Sequence, residues 1–161
     1  MAKISDKLNK IYNDIYHISD NFKSHKDGVM GFSSAPSGFK YIYALDYIDS
    51  DIRNGGIYQL HSNSTWHLIL DAIEGAREFG CKELSAVLLE ILYYYHKENR
   101  SKMKRRIREQ IFQQIPSGWN KDLEALEDDY YSTFDHLNIS GTTEIWEKVI
   151  IEKPHMFSKQ V

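Results

Sequence analysis

Apolar residues in this chain return at three- and four-residue steps in stretch after stretch, and little interrupts them: three prolines and nine glycines are spread over 161 residues. Leu8, Ile11, Ile15, Ile18 and Phe22 form one such set. Phe39, Ile42, Leu45, Ile48 and Ile52 form a second, and Leu84, Val87, Leu88, Ile91 and Leu92 a third. This spacing stacks side chains on one face of a helix, whereas a half-buried strand would alternate every second residue. The one segment short enough to compete as a strand, EKVIIE at 147–152, alternates poorly and reads as helix. The sequence therefore predicts an all-α fold, a single compact domain of about seven helices.

The punctuation divides the chain further. An N-terminal helix falls within residues 1–24, and HKDGVMGFSSAPSG at 25–38, with three glycines, a proline and three serines, reads as a loop. Residues 39–157 form the main helical region of what is one domain overall. Within it a helix from Trp66 to Phe79 follows Ser62, Asn63 and Ser64, each a good N-cap. Gly80 stops that helix, and the next begins so soon, near Leu84, that the two should pack as an antiparallel hairpin. Further helices are predicted from Ser101 to Pro116, along LEALEDDYYSTF at 123–134, and along TEIWEKVIIEK at 143–153 ahead of Pro154.

With 42% apolar residues and 27% charged, the chain can close a core and is not of the disordered class. No window approaches 18 apolar residues, and the charged start MAKISDKLNKIYNDIY lacks the apolar run of a signal peptide. Cys81 is alone, so no internal disulfide can form. A cytoplasmic location is the expectation. The net charge of −3 hides an asymmetry. KENRSKMKRRIR at 97–108 carries seven basic residues and one acidic, a local +6 that leaves −9 on the remainder.

Few residues suggest chemistry. Asn54-Gly55-Gly56 closes an apolar-periodic segment, and consecutive N–H groups there, with Gln59 and Asn63, could hold an anion. The competing reading, a helix C-cap and a one-turn connector, fits turn preferences better. His61, His67 and Asp71 could share a metal, but helical zinc motifs pair histidines four residues apart, and these are six apart. Cys81 reads as a buried thiol. No catalytic residue, metal or cofactor is expected. The basic run, with Lys102, Lys104, Arg105, Arg106 and Arg108, is either solvated, paired with the acidic stretch Asp122–Asp135, or a nucleic-acid-binding patch.

YALDYIDSDIRNGGIYQLHSNS, the helix break FGCKEL, LEALEDDYYSTFDHL and the closing PHMF together resemble the DNA-mimic-protein family, a bacterial family of helical domains. The family pattern of an acidic residue, asparagine-glycine-glycine, glutamine and a later asparagine is matched here by Asp51, Asn54, Gly55, Gly56, Gln59 and Asn63. Its acidic-tyrosine pattern is matched by Leu126, Glu127, Asp128, Tyr130 and Tyr131. The resemblance spans about Tyr41 to Phe157. It implies an all-helical, non-enzymatic dimer whose surface carboxylates imitate DNA phosphates and occupy the DNA-binding face of a transcription factor, with no catalytic residues and an architectural glycine motif. The candidate carboxylates in this chain are Asp46, Asp49, Glu124, Glu127, Asp128 and Asp129. The expected partner is thus a protein, a DNA-binding regulator, rather than nucleic acid or membrane. The chain departs from a strongly acidic mimic in its near-neutral balance, since duplex DNA carries one charge per ~1.7 Å.

Overall fold

The computed structural model describes residues 4–98, 120–137 and 142–159, and these are helical nearly throughout. The helices run α1 Ile4–Ser19, α2 His25–Gly31, α3 Ser37–Gly55, α4 Ile57–Ser62, α5 Ile69–Glu78, α6 Lys82–Glu98, α7 Leu123–Leu137 and α8 Thr142–Glu152. Short 3₁₀ turns at Thr65–Leu68 and Pro154–Phe157 complete them. The all-α fold is as the periodicity predicts, and EKVIIE is helical. The segment predicted as a helix from Ser101 to Pro116 lies outside the described residues.

The core organises around α3. A surface helix buries one stripe, but α3 buries Phe39, Tyr41, Ile42, Tyr43, Ala44, Leu45, Ile48 and Ile52, which point in almost every direction around its axis. It is enclosed because α5 packs along one flank, α1 and α2 along others, and both 3₁₀ turns across its ends. Approach to α5 is close at Gly75, where an added Cβ would stand 2.6 Å from the Cβ of Tyr41. α5 then pairs with α6 and α6 with α7, while α8 lies on α1. One apolar cluster runs continuously from Leu8 to Met156, with Trp146, Tyr130 and Phe134 among its largest fully buried side chains.

The hairpin of α5 and α6 is as the spacing predicts. Gly80 ends α5 at φ +82°, the N–H of Gly80 donates to the Arg77 carbonyl at 3.0 Å, and that of Cys81 to the Ala76 carbonyl at 2.8 Å. Two short helices differ from the expectation. Within the stretch read as a loop at 25–38, His25–Gly31 is helical. The Asp27 carboxylate accepts from the backbone N–H groups of Lys23 and Ser24, at 2.8 and 3.3 Å, which holds the chain at the entry to that helix. The predicted Trp66–Phe79 helix begins instead as a 3₁₀ turn, preceded by α4. Ser64 precedes that turn in a left-handed conformation, φ 59°, and makes no side-chain cap. Among the described residues no helix is long and apolar enough to cross a membrane.

Candidate functional site

The Asn54-Gly55-Gly56 corner joins α3 to α4, and its geometry explains both glycines. Gly56 sits at φ 73°, ψ −173°, a region essentially closed to residues with a Cβ. Its N–H donates to the Ile52 carbonyl at 2.8 Å and so finishes α3. The next N–H, of Ile57, opens α4 and donates to Glu127 Oε1 at 2.7 Å. A Cβ on Gly56 would stand 2.4 Å from that same oxygen, and one on Gly55 would meet the Gln59 side chain. The amide that could have held an exogenous anion is thus filled by the protein's own carboxylate.

Asp51 and Asn63 lock the far side of the corner. The buried Asp51 carboxylate accepts from Asn63 Nδ2 at 2.9 Å and from the Thr65 hydroxyl, which ties the last turn of α3 to the 3₁₀ turn beyond α4. Asn54 is exposed. From the opposite direction α7 supplies two tyrosines. Tyr130 donates its hydroxyl to Asp49 Oδ1 at 2.9 Å, and Tyr131 donates to the Ile52 carbonyl at 2.8 Å. Glu127, Tyr130 and Tyr131 therefore grip the C-terminal half of α3 and the start of α4 together. The two distant sequence patterns are two halves of one clasp.

The six candidate carboxylates separate into different environments. Asp49 is buried and held by Tyr130 and by Arg53, whose Nε lies 2.9 and 3.0 Å from its two oxygens. Burial pushes Asp49 above the usual carboxylate range, against the opposing pull of Tyr130 and Arg53. Arg53 also reaches Asp135 at 2.6 Å and lies over the rings of Phe134 and Tyr131. Asp46 is half-buried and accepts from Trp146 Nε1 at 2.9 Å. Burial, against hydrogen bonds from Tyr12 and Trp146, raises it to about 6. Neither aspartate is exposed: Asp49 is buried and Asp46 half-buried.

The remaining candidates are on α7. Glu127 is spent on the corner. Asp129 meets Lys121 at 2.6 Å, and Lys121 also reaches Glu90 at 2.8 Å. Glu124 and Asp128 are exposed, one turn apart on the outward side, with Asp135 further along the helix. Asp122 accepts from the Ala125 N–H at 2.8 Å and caps α7. The alternative basic patch, Lys102, Lys104, Arg105, Arg106 and Arg108, lies outside the described residues. Lys97, at the start of that run, reaches the Asn120 side chain at 3.1 Å.

His61, His67 and Asp71 do not converge. His61 Nδ1 lies 3.2 Å from the Tyr95 hydroxyl, the His67 ring sits against Trp66, and Asp71 faces Lys40 at 3.6 Å. Among the described residues no three His, Cys, Asp or Glu side chains are grouped to hold a metal ion. Cys81 is buried, and burial raises its thiol above the ordinary value.

Residues 33–150, which include the corner and its clasp, match the DMP19-like protein family, a span that takes in α3 through most of α8. The chain belongs to that family. No curated protein and no solved structure matches it. Membership in the DMP19-like family supports a non-enzymatic, regulatory role in protein interaction, broadly like that of DNA-mimic proteins. The part of the arrangement hidden from the sequence is the clasp. Two carboxylate-bearing motifs some seventy residues apart, one at the end of α3 and one inside α7, were its only signal.

Proposed function

We propose that this DMP19-like chain is a non-catalytic interaction module that docks a basic surface of a nucleic-acid-binding regulator on the outward side of α7. The observation that carries the reading is the composition of that helix. From Asp122 to Asp135 it holds six carboxylates and no Lys or Arg, with Glu124 and Asp128 standing in solvent. Asp129 and Asp135 add to the strip, since exposed ion pairs such as those with Lys121 and Arg53 contribute only ~0–1 kcal/mol and yield to a competing cation.

The magnitude of the strip limits what it imitates. Between Glu124 and Asp135 a helix rises ~17 Å at 1.5 Å per residue. The same length of duplex carries ~10 phosphate charges. Glu124, Asp128, Asp129 and Asp135 offer four, so the strip suits one basic patch of a partner and not the whole footprint of a DNA-binding face.

The test is affinity against ionic strength. A regulator captured by the wild-type chain is purified, and its binding is measured with E124Q/D128N/D129N, a triple change that leaves Glu127 and the clasp intact. At least a tenfold loss of affinity and a shallower salt dependence are expected. Unchanged affinity and unchanged salt slope would overturn the assignment to α7.

A further inference from the structure

A cavity of about 260 Å³ opens between α1 and α3. Its walls are tyrosines from both helices: Tyr12 and Tyr16 on α1, Tyr43 and Tyr47 on α3, with Asp46 between the latter two. Tyr12 and Tyr16 are stacked with centroids 6.2 Å apart, and Tyr43 and Tyr47 stand 4.7 Å apart at an angle of 55°. The aromatic wall is braced from behind. The His25 ring lies 4.6 Å from that of Tyr47, and its Nδ1 is 3.2 Å from the Tyr43 hydroxyl.

We propose that this tyrosine-walled cavity is a binding site for an alkylammonium head group, with Asp46 as its counter-ion. Asp46 receives hydrogen bonds from Tyr12 and Trp146, yet among the described residues no Lys or Arg acts on it. A carboxylate withdrawn from water and given donors, but no opposite charge, is a strong attractor for a cation that can shed its own water cheaply. Ring faces supply the rest, since an ammonium over a tyrosine is drawn by the ring quadrupole and aromatic cages of this make-up recognise quaternary ammonium.

Other ligand classes fit less well. The charges acting on the lining groups are carboxylates: Asp49 on Asp46, Asp20 and Asp51 on Tyr47, and Asp27 on Tyr43. These repel an anion. Hard divalent cations require several oxygen ligands, and one carboxylate among phenol rings does not provide them. Burial pushes the phenols of Tyr43 and Tyr47 upward, Tyr43 to about 12, so the rings stay protonated. Burial likewise holds His25 below its ordinary value and leaves it uncharged near neutrality. The volume lies just below that of whole-ligand sites, ~300–1,000 Å³, and suits a head group more than an entire cofactor.

Choline and its uncharged isostere 3,3-dimethylbutan-1-ol are the probes, titrated into the full chain while the indole N–H resonance of Trp146 is followed by NMR. Trp146 reports on the site because its donor ends on Asp46. Choline is expected to shift that resonance saturably, and the isostere to bind at least tenfold more weakly. D46N should weaken choline binding at least tenfold. Y16A, at a position 55% exposed and so harmless to the core, should weaken it several-fold. A trimethyl-lysine peptide run beside choline separates the two sources of the head group: tighter binding of the peptide assigns a modified protein tail, and equal or weaker binding a free small molecule. Equal affinity for choline and the isostere, affinity unaltered in Y16A, or no response of Trp146 to choline would each overturn the proposal.

Discussion

Replacing Gly56 by alanine tests the clasp most directly, because two separable terms oppose the new methyl. Backbone in the φ 73°, ψ −173° region costs a residue with a Cβ ~1–3 kcal/mol. The methyl must also displace the Glu127 carboxylate, whose Oε1 would lie 2.4 Å away, and break its bond to the Ile57 N–H. A hydrogen bond to a charged acceptor is worth ~1.5–3 kcal/mol, and the partial exposure of Glu127 places it at the low end. G56A should therefore lose ~3–4 kcal/mol and E127A ~1.5–2 kcal/mol. The double variant should lose no more than G56A alone, because a carboxylate already removed cannot be displaced. Urea denaturation of the four proteins, followed by helical circular dichroism, yields a coupling of ~1.5 kcal/mol. In a chain of this size each kcal/mol corresponds to ~2–4 °C in Tm, so thermal melts give an independent reading. Losses that simply add, to within ~0.5 kcal/mol, would refute the shared contact and leave Gly56 as a backbone requirement only.

Asp46 should destabilise the folded chain as it ionises. Its pKa rises from 3.8 to about 6 on folding, so the folded state binds the proton more tightly, and stability is lost as pH climbs between those values. The full difference of about two pH units is worth ~3 kcal/mol. The stability of D46N minus that of wild type should therefore grow from pH 4 to 6 and level off above 7, and a flat difference in urea titrations would contradict this. Y130F removes the hydroxyl from the buried Asp49 and should cost ~1–3 kcal/mol. Y131F, whose hydroxyl serves a carbonyl in a half-buried site, should cost ~0.5–1.5 kcal/mol, so equal losses in chemical denaturation would contradict the ranking. G75A should destabilise strongly because its methyl would meet Tyr41 at the α3–α5 crossing, and unaltered Tm would remove that crossing as a constraint.

The long helices were legible because one buried stripe leaves a period. Leu8, Ile11 and Ile15 of α1, and Leu126, Tyr130 and Phe134 of α7, are buried as their spacing implies. The short helices were not legible, because their cause is not local. HKDGVMG has two glycines and no stripe, and its helix rests on Asp27 holding the preceding N–H groups and on packing against the 3₁₀ turn at Thr65–Leu68. Helix α4 has six residues and borrows a carboxylate from Glu127, seventy positions away.

The acidic positions of α3 misled for a related reason. Asp46 and Asp49 fall between apolar positions and look like a solvated face, yet Asp49 is buried and Asp46 is half-buried in the cavity between α1 and α3. A hint was present in YIYALDYIDSDI, where three acids sit among aromatics and aliphatics with no Lys or Arg inside the run, an unusual composition for a surface. On α7, by contrast, Glu124 and Asp128 are exposed, while Leu126, Tyr130 and Phe134 are buried.

Because one oxygen of Glu127 lies where a methyl on residue 56 would have to go, the acid adds its own veto to one that the backbone already imposes there. A lineage can surrender the acid and keep the glycine, but losing the acid lifts only the steric half of the barrier to exchanging that glycine. Asn54, solvent-facing beside it, is at liberty to drift.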